Sequence, residues 1–98
     1  MKTKEKTDLH KKICDKISET YEKKNHDYGD TFSVLFQKYG MIYPIIHLKE
    51  KLARIEQLSK EAEKVEGESI KDSLLDLANY AILALLEIQT SQETEVRE

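Results

Sequence analysis

One cysteine, one proline and three glycines stand among 98 residues. The single thiol, Cys14, cannot close an internal disulfide, and zinc sites built on paired cysteines are excluded. A reducing, cytoplasmic location is the corresponding expectation. So few glycines and prolines leave little turn chemistry for the many short strands of a sandwich or barrel. No run of about 18 apolar residues is present, so no membrane span is expected. The start, Met1-Lys2-Thr3-Lys4-Glu5-Lys6, leads into no apolar stretch, and no secretory leader is expected. A strong excess of one charge is also lacking: 16 Lys and Arg face 19 Asp and Glu, for a net charge of −3. Domains that coat phosphate backbones are usually strongly basic, so nothing here points to DNA or RNA. What the chain does have is 36% charged and 39% hydrophobic residues. That balance suits helices with charged outer faces in one small all-α domain.

The patterning predicts about four helices. Residues 1–7 read as a flexible N-terminus and 91–98 as a flexible tail, with a single all-α domain over 8–90. The first helix is predicted from Asp8, as N-cap, to Lys24. Leu9, Ile13, Ile17 and Tyr21 recur every fourth residue as its apolar stripe. Cys14 borders that stripe and reads as a small buried or half-buried hydrophobe, and His10 as a surface residue. A loop rich in turn formers follows, Lys24-Asn25-His26-Asp27-Tyr28-Gly29-Asp30. A short helix over Thr31–Tyr39 should turn Phe32, Leu35, Phe36 and Tyr39 inward and end at Gly40. Pro44 suits the first turn of a third helix reaching Glu63, with Ile45, Leu48, Leu52 and Ile55 as its apolar face. After a break at Gly67, a fourth helix should run from Glu68 to Thr90. Its Tyr80–Ile88 stretch is apolar nearly all round, more than one small domain can cover, so a homo-oligomer, most simply a dimer, is expected to complete the core.

Glu68, Asp72 and Asp76 are spaced by four on the last helix and fall within about 80° on one face. Asn79 lies on the same stripe. Asp76 and Asn79 sit inside the apolar sequence Leu74–Leu83, where a carboxylate needs a partner. Converging carboxylates suit a hard divalent cation such as Mg²⁺. Two structural readings compete with this. Ser69-x-x-Asp72 is a passable capping box, and Asp76 can pair with a Lys or Arg of the third helix. On the third helix, Glu50, Arg54 and Gln57 share one side, flanked by His47 and Lys51. That side is a solvated charged face in isolation, or the wall of a cleft in which Lys51 and Arg54 contact phosphates. The Lys24–Asp30 loop supplies donors, acceptors and a ring for a base or sugar, or is an ordinary capped loop.

Three segments stand in order: Lys24-Asn25-His26-Asp27-Tyr28-Gly29-Asp30-Thr31-Phe32, then Glu50-Lys51-Leu52-Ala53-Arg54-Ile55, then Glu68-Ser69-Ile70-Lys71-Asp72-Ser73-Leu74-Leu75-Asp76-Leu77-Ala78-Asn79-Tyr80-Ala81. In these the chain resembles the nucleotide modification associated domain 1 family, a small all-α family frequent in bacteriophages and bacteria. It is also distantly similar to the all-α NTP pyrophosphatases, which include the dimeric dUTPases. The resemblance implies an all-α NTP pyrophosphatase-like fold completed by oligomerisation. It implies Mg²⁺ held by Glu50, Glu68, Asp72 and Asp76, with Glu50 and Asp72 at catalytic positions. His47 and Ser69 stand where the pyrophosphatases carry the other two motif acids. The nucleotide-binding set implied is Lys24, Asn25, His26, Asp27, Tyr28, His47, Lys51, Arg54, Asn79 and Tyr80.

Two functional expectations follow. One is binding of a nucleoside triphosphate, standard or modified, in a cleft between helices, with Mg²⁺-dependent hydrolysis to monophosphate and pyrophosphate. The other is a non-catalytic phage-type protein that sequesters a nucleotide, including a signalling nucleotide. His47 and Ser69 in place of acids favour the second; the retained acids favour the first.

Overall fold

The computed structural model describes the backbone of residues 1–28, 30–60 and 68–97, and the side chains of 1–26, 30–60 and 69–91. Gly29 and Gly67, and the side chains of Asp27, Tyr28 and Glu68, lie outside the described residues. Four helices follow one another: α1 (Thr3–Tyr28), α2 (Thr31–Tyr39), α3 (Ile42–Ser59) and α4 (Glu68–Arg97). No strand occurs among the described residues. The chain divides into two compact units, Met1–Thr31 and Phe32–Glu98.

The first unit is α1. It begins at Thr3 rather than Asp8 and continues through Tyr28. Thus Lys24–Tyr28, predicted as a loop, is helical. Asn, His, Asp and Tyr each cost a helix only about 0.7 kcal/mol or less relative to Ala, and neither Gly nor Pro intervenes before Gly29. Ile17 is buried and Tyr21 half-buried, whereas Leu9 and Ile13 of the predicted stripe are exposed. Cys14 is exposed too, against expectation, with its Sγ 3.8 Å from His10 Nδ1 one turn earlier.

The second unit carries the other three helices. α2 has the predicted bounds. Phe32, Leu35 and Phe36 are half-buried, but Tyr39 turns outward with Lys38 Nζ over its ring at 5.4 Å. Gly40 ends the helix at φ +72°, a left-handed conformation that costs a residue with a Cβ about 1–2 kcal/mol. Its N–H donates to the Phe36 carbonyl at 2.7 Å, and its own carbonyl accepts from the Tyr43 N–H at 3.1 Å. Only Gly40 and Met41 separate α2 from α3. Pro44 lies in the first turn of α3 as predicted, where its missing N–H costs nothing, and it is fully buried.

α3 ends at Ser59, short of the predicted Glu63, which lies outside the described residues. α3 and α4 are antiparallel. His47 stacks on Tyr80 and Lys51 pairs with Asp76, so four residues forward on α3 meet four residues back on α4. The buried face of α3 is rotated from the predicted one: Leu52 is exposed, while Tyr43, His47 and Lys51 are half-buried beside Ile45, Leu48 and Ile55. Glu50, Arg54 and Gln57 face solvent. α4 begins at Glu68, so Ser69 is inside the helix and does not cap it, and the backbone stays helical to Arg97, past the predicted end at Thr90.

Ile70, Leu83 and Ala84 form the fully covered part of α4, with Ser73 and Glu87 buried among them in sequence. Ile82, Leu85 and Ile88 remain exposed. The Tyr80–Ile88 run is therefore covered on one side only within the chain. Across the helices, Ser33 Oγ of α2 donates to Glu87 Oε2 of α4 at 2.9 Å. The covering is thin, as expected of a small domain.

Candidate functional site

The α3/α4 pairing gathers aromatic and charged side chains in one row. Tyr43, His47 and Lys51 follow one another at four-residue spacing, which puts them on one face of α3. The His47 ring lies flat on the Tyr80 ring, with centroids 4.4 Å apart and planes within 8°. Tyr43 meets His47 edge to face at 4.7 Å. Phe32, the second residue of α2, closes the cluster with centroids 5.1 Å from Tyr43 and 6.3 Å from Tyr80. Aromatic pairs of this geometry contribute about 0.5–1.5 kcal/mol each beyond their buried area. The rings therefore hold the three helices in register as well as lining the site.

Charge begins one turn beyond the rings. Lys51 Nζ lies 3.1 Å from Asp76 Oδ2. The structural alternative read from the sequence, Asp76 paired with a cation of the third helix, is thus what this pair makes. Burial raises the proton affinity of the Tyr80 hydroxyl above that of an ordinary phenol. Lys51 opposes that shift, while Asp76, Tyr43 and Glu50 add to it. The phenol is accordingly a neutral hydrogen-bond donor at neutral pH, set among one cation and two carboxylates.

The structure brings His47, Lys51, Asp76 and Tyr80 together, with Glu50 close enough to act on Tyr80. Asn79 is half-buried on α4; Arg54 and Asp72 are exposed. Lys24, Asn25 and His26 stand on the last turns of α1, in the other unit, with Asn25 half-buried and the other two exposed. Asp27, Tyr28 and Glu68 belong to the candidate set by sequence, but their side chains lie outside the described residues. Among the described residues no group of three or more His, Cys, Asp or Glu is placed to hold a metal ion. Tyr43 and Phe32 belong to this candidate cluster and were missed by sequence reasoning. The available signal was the Tyr43-x-x-x-His47-x-x-x-Lys51 spacing, which puts a ring, a ring and a cation on one stripe. Phe32 carried no such signal, because an aromatic at the start of a short helix reads as ordinary core.

No curated protein and no solved structure matches the chain. A family model does. It spans residues 24–88, from the end of α1 through Ile88, and so includes every residue of the α3/α4 row and Phe32. With about two thirds of its length so matched, the chain belongs to the family described as nucleotide modification associated domain 1.

Proposed function

We propose that the second unit binds a nucleotide along the α3/α4 row. The observation that carries this reading is the succession Tyr43, His47, Lys51 opposite Tyr80 and Asp76: stacked rings next to a cation, half-exposed, inside the segment that defines the family. Half-buried rings suit a base, and a half-exposed ammonium suits a phosphate. Arg54, just beyond Lys51 on the exposed side of α3, extends the cationic path. The Tyr80 hydroxyl donates to a ligand oxygen. The family name, with its reference to nucleotide modification, supports the same class of ligand.

Hydrolysis is the second reading. Glu50 and Asp76 are the two described carboxylates whose charge acts on Tyr80. Mg²⁺ would need further oxygen ligands. The described residues do not supply a set of three, and the Glu68 side chain lies outside them. The described residues therefore do not make a Mg²⁺ cage on their own. Apolar side chains left exposed on α3 and α4, among them Ile42, Ile46, Ile82 and Leu85, support a homodimer in the working form.

The test is a set of binding isotherms for a nucleoside, its monophosphate and its triphosphate, with Mg²⁺ and with EDTA. Binding that strengthens with phosphate number and survives EDTA, with intact ligand recovered, is the expected result. Pyrophosphate release in Mg²⁺ alone would replace it with the hydrolytic reading. Arg54→Glu should weaken the triphosphate by about tenfold or more and the nucleoside little, as expected for loss of a charge-assisted contact. An unchanged triphosphate affinity would place the phosphates elsewhere.

A further inference from the structure

The Lys51–Asp76 pair spans α3 and α4 with its side chains 26% and 44% exposed. Both partners can be reached from solvent. Exposed pairs of this kind are weak, so a stronger anion can exchange for the carboxylate. Lys51 has a long flexible stem, whereas Asp76 is held close to its helix by a single methylene. In an exchange the ammonium moves and the carboxylate stays behind, hydrated.

We infer that Asp76 is a built-in competitor at the proposed site: its carboxylate holds Lys51 where a ligand phosphate would, so that only ligands carrying several negative charges displace it. This rests on the proposal that nucleotide phosphates go to Lys51. An ammonium has three donors, and a carboxylate engages it with one charge and two oxygens. A di- or triphosphate offers more charge and more oxygens and gains from the exchange. A monoanion exchanges like for like and gains little. A nucleoside does not enter the competition. Asp76 thereby sets a threshold on ligand charge, and the substrate class is narrowed to nucleoside polyphosphates.

The test uses Asp76→Asn, which keeps the size of the side chain and removes its charge. Calorimetric isotherms in EDTA are taken with inorganic tripolyphosphate, dATP and deoxyadenosine. Tripolyphosphate and dATP should bind the variant about two- to fivefold more tightly than the wild type, the scale of one partly exposed ion pair. Deoxyadenosine should be unaffected. Glu56→Gln removes the same unit of charge from the exposed surface of α3 and should change tripolyphosphate affinity by less than about twofold. Circular dichroism melts establish that each variant folds, and Asp76→Ser repeats the measurement if the Asn variant does not.

Unchanged or weaker tripolyphosphate binding by Asp76→Asn overturns the inference, and so does an equal gain in Glu56→Gln. If the wild type binds dATP and the variant shows no gain, the competitor role falls and the nucleotide site stands. If neither protein binds tripolyphosphate or dATP, the site itself is wrong and the inference falls with it.

Discussion

At the scale of single residues, Tyr80 connects the rings to the charges. Its phenol proton is held more tightly in the folded protein than in the unfolded chain, chiefly through burial. The sign of the stability effect follows. The folded state keeps a proton that the unfolded state releases near pH 10, so stability is fully present below about pH 10 and is lost as pH rises through the raised value. Tyr80→Phe keeps the ring on His47 and removes the proton. Thermal melts between pH 8 and pH 11 should therefore fall less steeply for Tyr80→Phe than for the wild type. Equal alkaline slopes would show that Tyr80 does not sense its neighbours in this way. Ser33 and Glu87 offer a second residue-scale test, because a buried carboxylate depends on the donors it has. Ser33→Ala should cost about 1.5–3 kcal/mol in urea unfolding, the range for a hydrogen bond to a charged group. Glu87→Gln should cost less, since the amide oxygen can still accept from the Ser33 hydroxyl.

At the scale of elements, the α2–α3 junction decides where Phe32 meets Tyr43. Two residues make the turn, and Gly40 makes it possible with its positive φ. A Cβ added at Gly40 would meet no atom within 4 Å, so the penalty there is conformational and not steric crowding by neighbours. Gly40→Ala is expected to destabilise by about 1–2 kcal/mol, and Gly40→Asn by less, because Asn tolerates the left-handed region better. Chemical denaturation of the two variants checks the order. Equal costs would mean that the junction relaxes to another conformation. The α3–α4 pair has its own logic. Its register places rings at one level and the ion pair at the next, so one helix face carries both packing and charge.

At the scale of the whole molecule, the buried hydrophobic side chains among the described residues are few: Ile17, Pro44, Ile70, Leu83 and Ala84. Against them stand large apolar side chains left in water on α3 and α4, among them Ile42, Ile46, Leu52, Leu74, Ile82 and Leu85. Covering a Leu or Ile contributes about 1.5–3 kcal/mol, so a second copy would add substantially to so small a core. Sedimentation velocity at micromolar concentration is expected to show a species of twice the 11.4 kDa chain mass. Ile82→Glu combined with Leu85→Glu should shift it toward monomer while the far-ultraviolet helical signal persists. A compact wild-type monomer across that concentration range would contradict the expectation.

Helix type and number were written in the local sequence. The Phe32–Phe36 periodicity, the glycine at position 40 and the proline at 44 are short-range signals, and the bounds of α2 and the entry to α3 follow from them. The positions of the candidate residues were legible to the same degree: acids and Asn79 at helical spacing on one segment, Lys51 and Arg54 on the other. Periodicity alone could not say how far each helix is rotated against its neighbour. The apolar count on α3 favoured Leu52 as an inward residue, yet packing against α4 turned His47 and Lys51 in and Leu52 out. The reason is that side chains with an apolar body and a polar tip satisfy burial and hydration together, which a hydrophobicity pattern cannot score. The same is true of Asp76. Spacing left both a metal ligand and an ion-pair partner open, and only the antiparallel register, which sets Asp76 opposite Lys51, decided which cation it meets.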